Sequence, residues 1–136
     1  MREKERAFTL LEIMLVVTII ALLLAAAIKF MAPNVDIAKR VRVAGDIQAI
    51  KTSLLAYQGI NGFYPTTEQG LQALVTAPSS DPRPVRWQQF MEQVPTDPWG
   101  MPYVYRCPGQ KDPTRYDLYS AGPDRIPDTS DDDWGK

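Results

Sequence analysis

Hydrophobic and polar positions change pattern sharply along this chain. From Ala7 to Phe30 the residues are apolar almost without a break, and between Phe8 and Ile28 Glu12 is the only charged one. A helix laid on a soluble core shows polar residues every third or fourth position, and this stretch does not. At about 1.5 Å per residue the run from Phe8 to Ile28 covers about 31 Å, close to the roughly 30 Å hydrocarbon core of a bilayer. It predicts a membrane-spanning helix. Arg2, Lys4 and Arg6 precede it, which predicts a cytoplasmic N-terminus with the remainder on the far side.

Past Pro33 the pattern becomes periodic. Ile37, Val41, Ala44, Ile47, Ile50, Leu54 and Tyr57 recur at steps of three and four, an amphipathic stripe, with Lys39, Arg42, Asp46 and Ser53 largely off it. One long helix is predicted from Phe8 to about Gln58, bent rather than ended at Pro33, its first half in lipid and its second half on a domain. Gly59 and Asn61-Gly62 supply the stop. A coiled-coil stalk competes, but the stripe is too short for one. Further on, Thr66 and Gln69 have the spacing of a capping box and predict a short helix with Leu71, Leu74 and Val75 on its apolar face, ended by Pro78. The segment from Ser79 to Val94, with Arg83, Arg86 and Trp87, reads as a solvated loop anchored by its tryptophan. Asp97-Pro98-Trp99-Gly100 reads as a type I turn. Tyr103–Cys107 and Arg115–Ser120 alternate and are rich in β-formers, so they predict paired antiparallel strands packed against the helix stripe.

Composition narrows the function. The 136 residues leave room for one domain of about 100 residues beyond the membrane helix. With 15 basic and 16 acidic residues and no basic stripe, charge does not point to nucleic acid. Histidine is absent and Cys107 is the only cysteine, which removes Ser-His and Cys-His catalysis, an intrachain disulfide and the usual cysteine zinc site. Beside a proline, Cys107 reads as a small structural residue. Eight of the twelve prolines fall between Pro78 and Pro113 and mark a loop-rich half. A non-enzymatic role is predicted.

Two features resist that bland picture. Glu12 sits only about 6 Å down the helix, so it can snorkel to the interface, lie neutral there, or pair with a cation on assembly. A secretory signal peptide would also show a basic start and an apolar run, but this run exceeds the usual roughly 7–15 residues and no clean small-x-small site follows. The other feature is the tail, where Asp124, Asp128, Asp131, Asp132 and Asp133 fall within ten residues. A solvated acidic tail is one reading. A calcium site is the other, since hard oxygen donors in a Gly/Pro/Asp loop suit Ca²⁺, although the spacing does not match an EF-hand.

The run Arg6-Ala7-Phe8-Thr9-Leu10-Leu11-Glu12-Ile13-Met14 resembles the class III signal of type IV pilins and pseudopilins. The resemblance implies that a membrane prepilin peptidase cuts between Ala7 and Phe8 and methylates the new amine of Phe8. Ala7 departs from the glycine usual there, while keeping a small residue. A carboxylate in hydrocarbon is costly unless paired, and the methylated amine of Phe8 keeps its positive charge. Pairing of Glu12 with Phe8 of a neighbouring subunit would favour the correct axial stagger.

Tyr64-Pro65-Thr66-Thr67-Glu68-Gln69-Gly70-Leu71-Gln72-Ala73-Leu74, Pro95-Thr96-Asp97-Pro98-Trp99-Gly100 and Ser120-Ala121-Gly122-Pro123-Asp124 are similar to the major pseudopilin family of the bacterial type II secretion system. That family implies an α+β, type IV pilin-like fold: a long N-terminal helix, its first half transmembrane, packed on a small antiparallel sheet with a C-terminal calcium loop. The implied layout is a cleaved leader at 1–7, a transmembrane half-helix at 8–31 and a periplasmic domain at 32–136. The implied Ca²⁺ ligands are Asp124, Asp131, Asp132 and the Ala121 carbonyl. Arg125, where glycine is usual, and Pro127-Asp128 depart from the pattern, which leaves a weaker site or Asp128 and Asp133 as substitute ligands. The implied function is a single-pass inner-membrane protein forming a helical homopolymer in the periplasm that helps drive folded proteins across the outer membrane. Its implied partners are minor pseudopilins, the inner-membrane assembly platform and the prepilin peptidase, with no nucleic acid. Two alternatives stay open. One is a type IV pilin of a fibre for adhesion, motility or DNA uptake, against which the lone Cys107 counts. The other is a membrane-tethered binding module using Arg83 to Trp87.

Overall fold

The computed structural model describes residues 8–136, apart from the side chains of residues 32–34. Arg2, Lys4, Arg6 and Ala7 lie outside the described residues, and with them the charge pattern that predicts orientation. The elements in order are α1 (Leu10–Asn61), a short 3₁₀ helix (Leu71–Leu74), β1 (Val104–Arg106) and β2 (Asp117–Tyr119). The chain forms two compact units, residues 1–38 and residues 39–136, with α1 contributing to both.

In the first unit α1 starts where Thr9 caps it. The Glu12 N–H donates to Thr9 Oγ1 at 3.3 Å and to the Thr9 carbonyl at 3.1 Å, which satisfies a donor the helix itself leaves open. Thr18 donates its hydroxyl back to the Met14 carbonyl at 2.8 Å, so this polar group needs no water. Leu11, Leu22, Leu24 and Ile28 are all exposed, and a helix apolar on every side is built for lipid or for other helices. It is long and apolar enough to cross a membrane. The helix continues through Pro33 rather than ending there.

In the second unit Val43, Ile47, Ile50, Leu54 and Tyr57 are completely or almost completely buried, at alternating steps of four and three that hold one face of a 3.6-residue helix. They pack with Leu71, Ala73, Leu74, Tyr103, Tyr105 and Leu118. Each full aliphatic burial is worth about 1.5–3 kcal/mol, so this face fixes the helix to the domain. The predicted stripe needs correcting at its start. Ile37 and Val41 are 61% and 67% exposed, and Val43 takes the place given to Val41. At about 100° per residue, 37 and 41 point well away from the face of 43, 47, 50, 54 and 57. Off-stripe residues fasten the edges of the helix: Arg42 donates to the Thr96 carbonyl, Asp46 accepts from the Tyr103 hydroxyl at 2.8 Å, and Lys39 lies over the Trp99 ring.

The helix ends at Asn61, with Gly62 at φ 85 and its N–H bonded to the Gln58 carbonyl, whereas Gly59 is carried through. The capping box forms as predicted, Thr66 N–H to Gln69 Oε1 and Gln69 N–H to Thr66 Oγ1, both at 3.2 Å. What it opens is a turn, and the regular helix begins only at Leu71. Gly70, at φ 58, is left-handed and separates the two. Trp87 anchors its loop by donating from Nε1 to the Ala73 carbonyl at 2.8 Å. The strands are shorter than predicted, three residues each, paired antiparallel with Val104 opposite Tyr119 and Arg106 opposite Asp117. Pro102 and Pro108 flank β1 and cannot donate to a ladder, which limits its length.

Candidate functional site

Two places carry the residues singled out from sequence, one in each unit. In the first, Phe8 is exposed and precedes the Thr9 cap, and the bond from Ala7 to Phe8 lies at the edge of the described residues. Glu12 occupies the first turn of α1, where the partial positive charge of the helix N-terminus favours a carboxylate. Glu12 therefore has a local structural reason to be there beside the assembly role expected of it. The Thr9-x-x-Glu12 spacing was the available signal for this cap.

The second place is the loop that follows β2. Ser120 and Asp133 clip its ends together through reciprocal backbone bonds of 2.9 Å. Ser120 Oγ donates to Asp97 Oδ2 at 2.6 Å and accepts from the Gly122 N–H at 3.1 Å. Asp97 is 2% exposed, and its Oδ1 accepts from the backbone of Trp99 and Met101 at 3.1 and 2.7 Å. The type I turn thus forms as predicted, closed by Gly100 N–H to the Asp97 carbonyl, and its aspartate also holds the start of the loop. Gly122 has φ 70 and faces the backbone of Asp131, where any Cβ would collide with the Asp131 carbonyl. Only glycine fits that approach.

Within the loop, the predicted ligands are partly brought together. The Asp124 N–H donates to Asp131 Oδ2 at 3.1 Å, and Asp131 Oδ1 accepts from the Thr129 hydroxyl at 2.6 Å. That hydroxyl bond is the main reason the Asp131 carboxyl is held below the usual range. Asp132 turns inward. Its Oδ2 accepts from the Asp128 N–H at 3.0 Å, while its Oδ1 is buried with no hydrogen-bond partner among the described residues. Burial, followed by the nearby charges of Asp128 and Asp131, pushes its carboxyl up. Ala121, whose carbonyl is the fourth expected donor, is buried. Among the described residues no three acidic side chains are gathered into a metal-sized cluster. The donors are nevertheless all hard oxygens, and a buried carboxylate oxygen without a partner is what a cation would satisfy. On those grounds the loop fits a hard cation.

The substitute ligands do not stand ready. Asp128 accepts a two-pronged bond from Arg106, Nη1 to Oδ1 at 2.8 Å and Nη2 to Oδ2 at 2.7 Å, and the Tyr119 hydroxyl adds a third at 2.9 Å. The Arg106 bonds come first among the causes that lower its carboxyl to about 2. Asp133 Oδ1 accepts from the Gly135 N–H, and its buried Oδ2 lies 4.0 Å from Arg40. Arg125 adopts φ 62, a backbone that a glycine reaches without strain, which gives the departure at that position its physical meaning. Arg106, Tyr119 and the bond from Ser120 to Asp97 had no signal in the spacing of the sequence, because they join residues far apart along the chain, whereas the bonds from Trp99 and Met101 to Asp97 are local to the predicted turn.

Residues 31–134 match the family model described as type II secretion system (T2SS), protein G, and residues 2–28 match the prokaryotic N-terminal methylation motif. The type II secretion system core protein G of Pseudomonas aeruginosa is 42% identical over 134 residues, covering 97% of this chain and 93% of that protein. The corresponding Escherichia coli K12 protein is 40% identical, covering 98% of this chain and 93% of its own length. Among solved structures, the major pseudopilin from the type 2 secretion system of enterohaemorrhagic E. coli superposes with a TM-score of 0.69 at 42% identity, covering 74% of this chain and 85% of that one. With the family model spanning most of the chain and the fold shared with a solved pseudopilin, this protein belongs to the protein G family of the type II secretion system, the family of the major pseudopilin.

Proposed function

We propose that the chain is the major structural subunit of a type II secretion pseudopilus, a helical homopolymer rising from the inner membrane into the periplasm and helping to drive folded proteins across the outer membrane. One observation carries the reading: an N-terminal helix exposed and apolar on every side precedes a unit with a closed core of its own. The first needs lipid or neighbouring helices, and the second needs nothing further. Transfer of the helices from lipid to one another leaves apolar burial nearly unchanged, so close packing and polar pairing must select the assembled register.

In this reading the prepilin peptidase removes residues 1–7 and methylates Phe8, residues 8–31 span the membrane once with the N-terminus cytoplasmic, and residues 32–136 lie in the periplasm. The Phe8 amine of one subunit pairs with Glu12 of the next. Minor pseudopilins and the inner-membrane platform are the other partners, and the chain itself catalyses nothing. Asp124, Asp131, Asp132 and the Ala121 carbonyl hold Ca²⁺. When bound, the ion supplies positive charge that offsets repulsion among the aspartates. The unpartnered oxygen of Asp132 supports this assignment. Co-expression with a prepilin peptidase, followed by intact-mass measurement, tests the maturation step. The expected product starts at Phe8 and carries one added methyl group. An unprocessed chain would overturn it.

A further inference from the structure

The aspartates of the C-terminal loop differ in what neutralises them. Asp124 Oδ1 accepts from the Ile126 N–H, Asp131 from Thr129 and the Asp124 N–H, and Asp132 Oδ2 from the Asp128 N–H, all within the loop. Asp133 is near Arg40, but at 4.0 Å from a guanidinium whose side chain is 65% exposed. Among the described residues Asp128 alone in the loop receives a close, planar guanidinium from outside it, and both of its oxygens are occupied. The donors come from the sheet: Arg106 ends β1, Tyr119 ends β2, and the two strands are paired.

We infer that Arg106, Asp128 and the Tyr119 hydroxyl form a built-in latch that docks the loop on the sheet without any metal, and that Asp128 is an anchor of the loop rather than a ligand. The guanidinium is itself held. Nη1 also donates to Gln110 Oε1 at 3.1 Å, and the group lies over the Tyr119 ring, which stacks on Trp134. A fork of two parallel charge-assisted bonds fixes direction as well as distance, which a single surface ion pair does not. Its loop partner adopts φ 69, and non-glycine residues remain in that region where their surroundings over-determine them. The latch supplies that constraint at the loop's midpoint, while the Ser120–Asp133 bridge supplies it at the ends. The loop's order then rests on an internal cation, and Ca²⁺ acts only on the Asp124, Asp131 and Asp132 side. The latch does not depend on the calcium assignment, because its bonds need no ion.

The test is hydrogen exchange read by mass spectrometry on the full chain in detergent, in chelator and then with Ca²⁺. In chelator the wild-type segment 122–131 should be protected. Arg106→Gln and Asp128→Asn should each lower that protection roughly five- to tenfold, with Arg106→Lys between them and wild type. Protection of α1 residues 43–57 should stay unchanged, which separates loss of the latch from loss of the fold. The double variant should be no worse than either single one. A wild-type loop that is unprotected in chelator, or additive single effects, would overturn the latch. Calcium that restores protection in Arg106→Gln supports the metal assignment. Failure to restore it overturns that assignment and leaves the latch standing.

Discussion

Replacing Asp97 by alanine should be the most damaging single polar change in the second unit. Its carboxylate is 2% exposed and accepts three hydrogen bonds, from Trp99 N–H, Met101 N–H and Ser120 Oγ. Bonds to a charged acceptor are worth about 1.5–3 kcal/mol each, but the three share one group and do not add in full. Truncation also leaves Ser120 and two backbone donors without partners, so the net loss should be about 3–5 kcal/mol. Against a typical domain stability of about 5–15 kcal/mol, that is a large fraction. Urea denaturation of a soluble fragment spanning residues 35–136 measures it directly, and the melting midpoint should fall by about 12–30 °C. Asp97→Asn keeps Oδ1 for the two backbone donors and should cost less than half as much. A loss below about 1 kcal/mol in Asp97→Ala would refute the claim that this side chain ties the turn to the loop.

Other outcomes follow from the same geometry. Tyr57 is fully buried, with its hydroxyl unpartnered among the described residues, so Tyr57→Phe should be neutral or stabilising by up to about 1 kcal/mol, and a denaturant midpoint that falls markedly would contradict this. The folded-state value of Asp128 is lowered to about 2, below its unfolded value, so its contribution is fully present above about pH 4 and is lost as pH falls through about 2. An acid titration in chelator should show this loss in wild type and a flatter profile in Arg106→Gln, and identical profiles would rule it out. Calcium should raise the melting midpoint of the 35–136 fragment relative to chelator, and Asp132→Asn should remove most of the rise. No calcium-dependent shift in wild type would discard the ligand set.

Much of the architecture was legible because it is written in local patterns. The uninterrupted apolar run, the steps of three and four through Ile47, Ile50, Leu54 and Tyr57, the Thr66–Gln69 box and the Asp97–Gly100 turn each depend on neighbours a few residues away. The stripe departs from its predicted course at Ile37, Val41 and Ala44, which keep helical spacing yet rotate off the buried face that Val43 joins. At Thr66 the capping box forms, and Gly70 sets it apart from the short 3₁₀ helix at Leu71–Leu74 that carries the predicted apolar residues Leu71 and Leu74. In the loop, Arg125 stands where the family usually has glycine, and its positive φ is a backbone that glycine reaches without strain. The Arg106–Asp128 fork and the Ser120–Asp97 bond were not legible. They join residues 22 and 23 positions apart, and only the folded sheet brings them together.

If this chain is a pseudopilus subunit whose register depends on Glu12, imaging of its filaments will show it. The chain should be expressed in a secreting bacterium lacking its own major pseudopilin, and sheared surface material examined by electron microscopy. The wild-type chain should give filaments and Glu12→Ala none, with both chains cleaved and inserted in the membrane. Abundant, regular filaments from Glu12→Ala would contradict the pairing, and none from the wild-type chain would contradict the function itself.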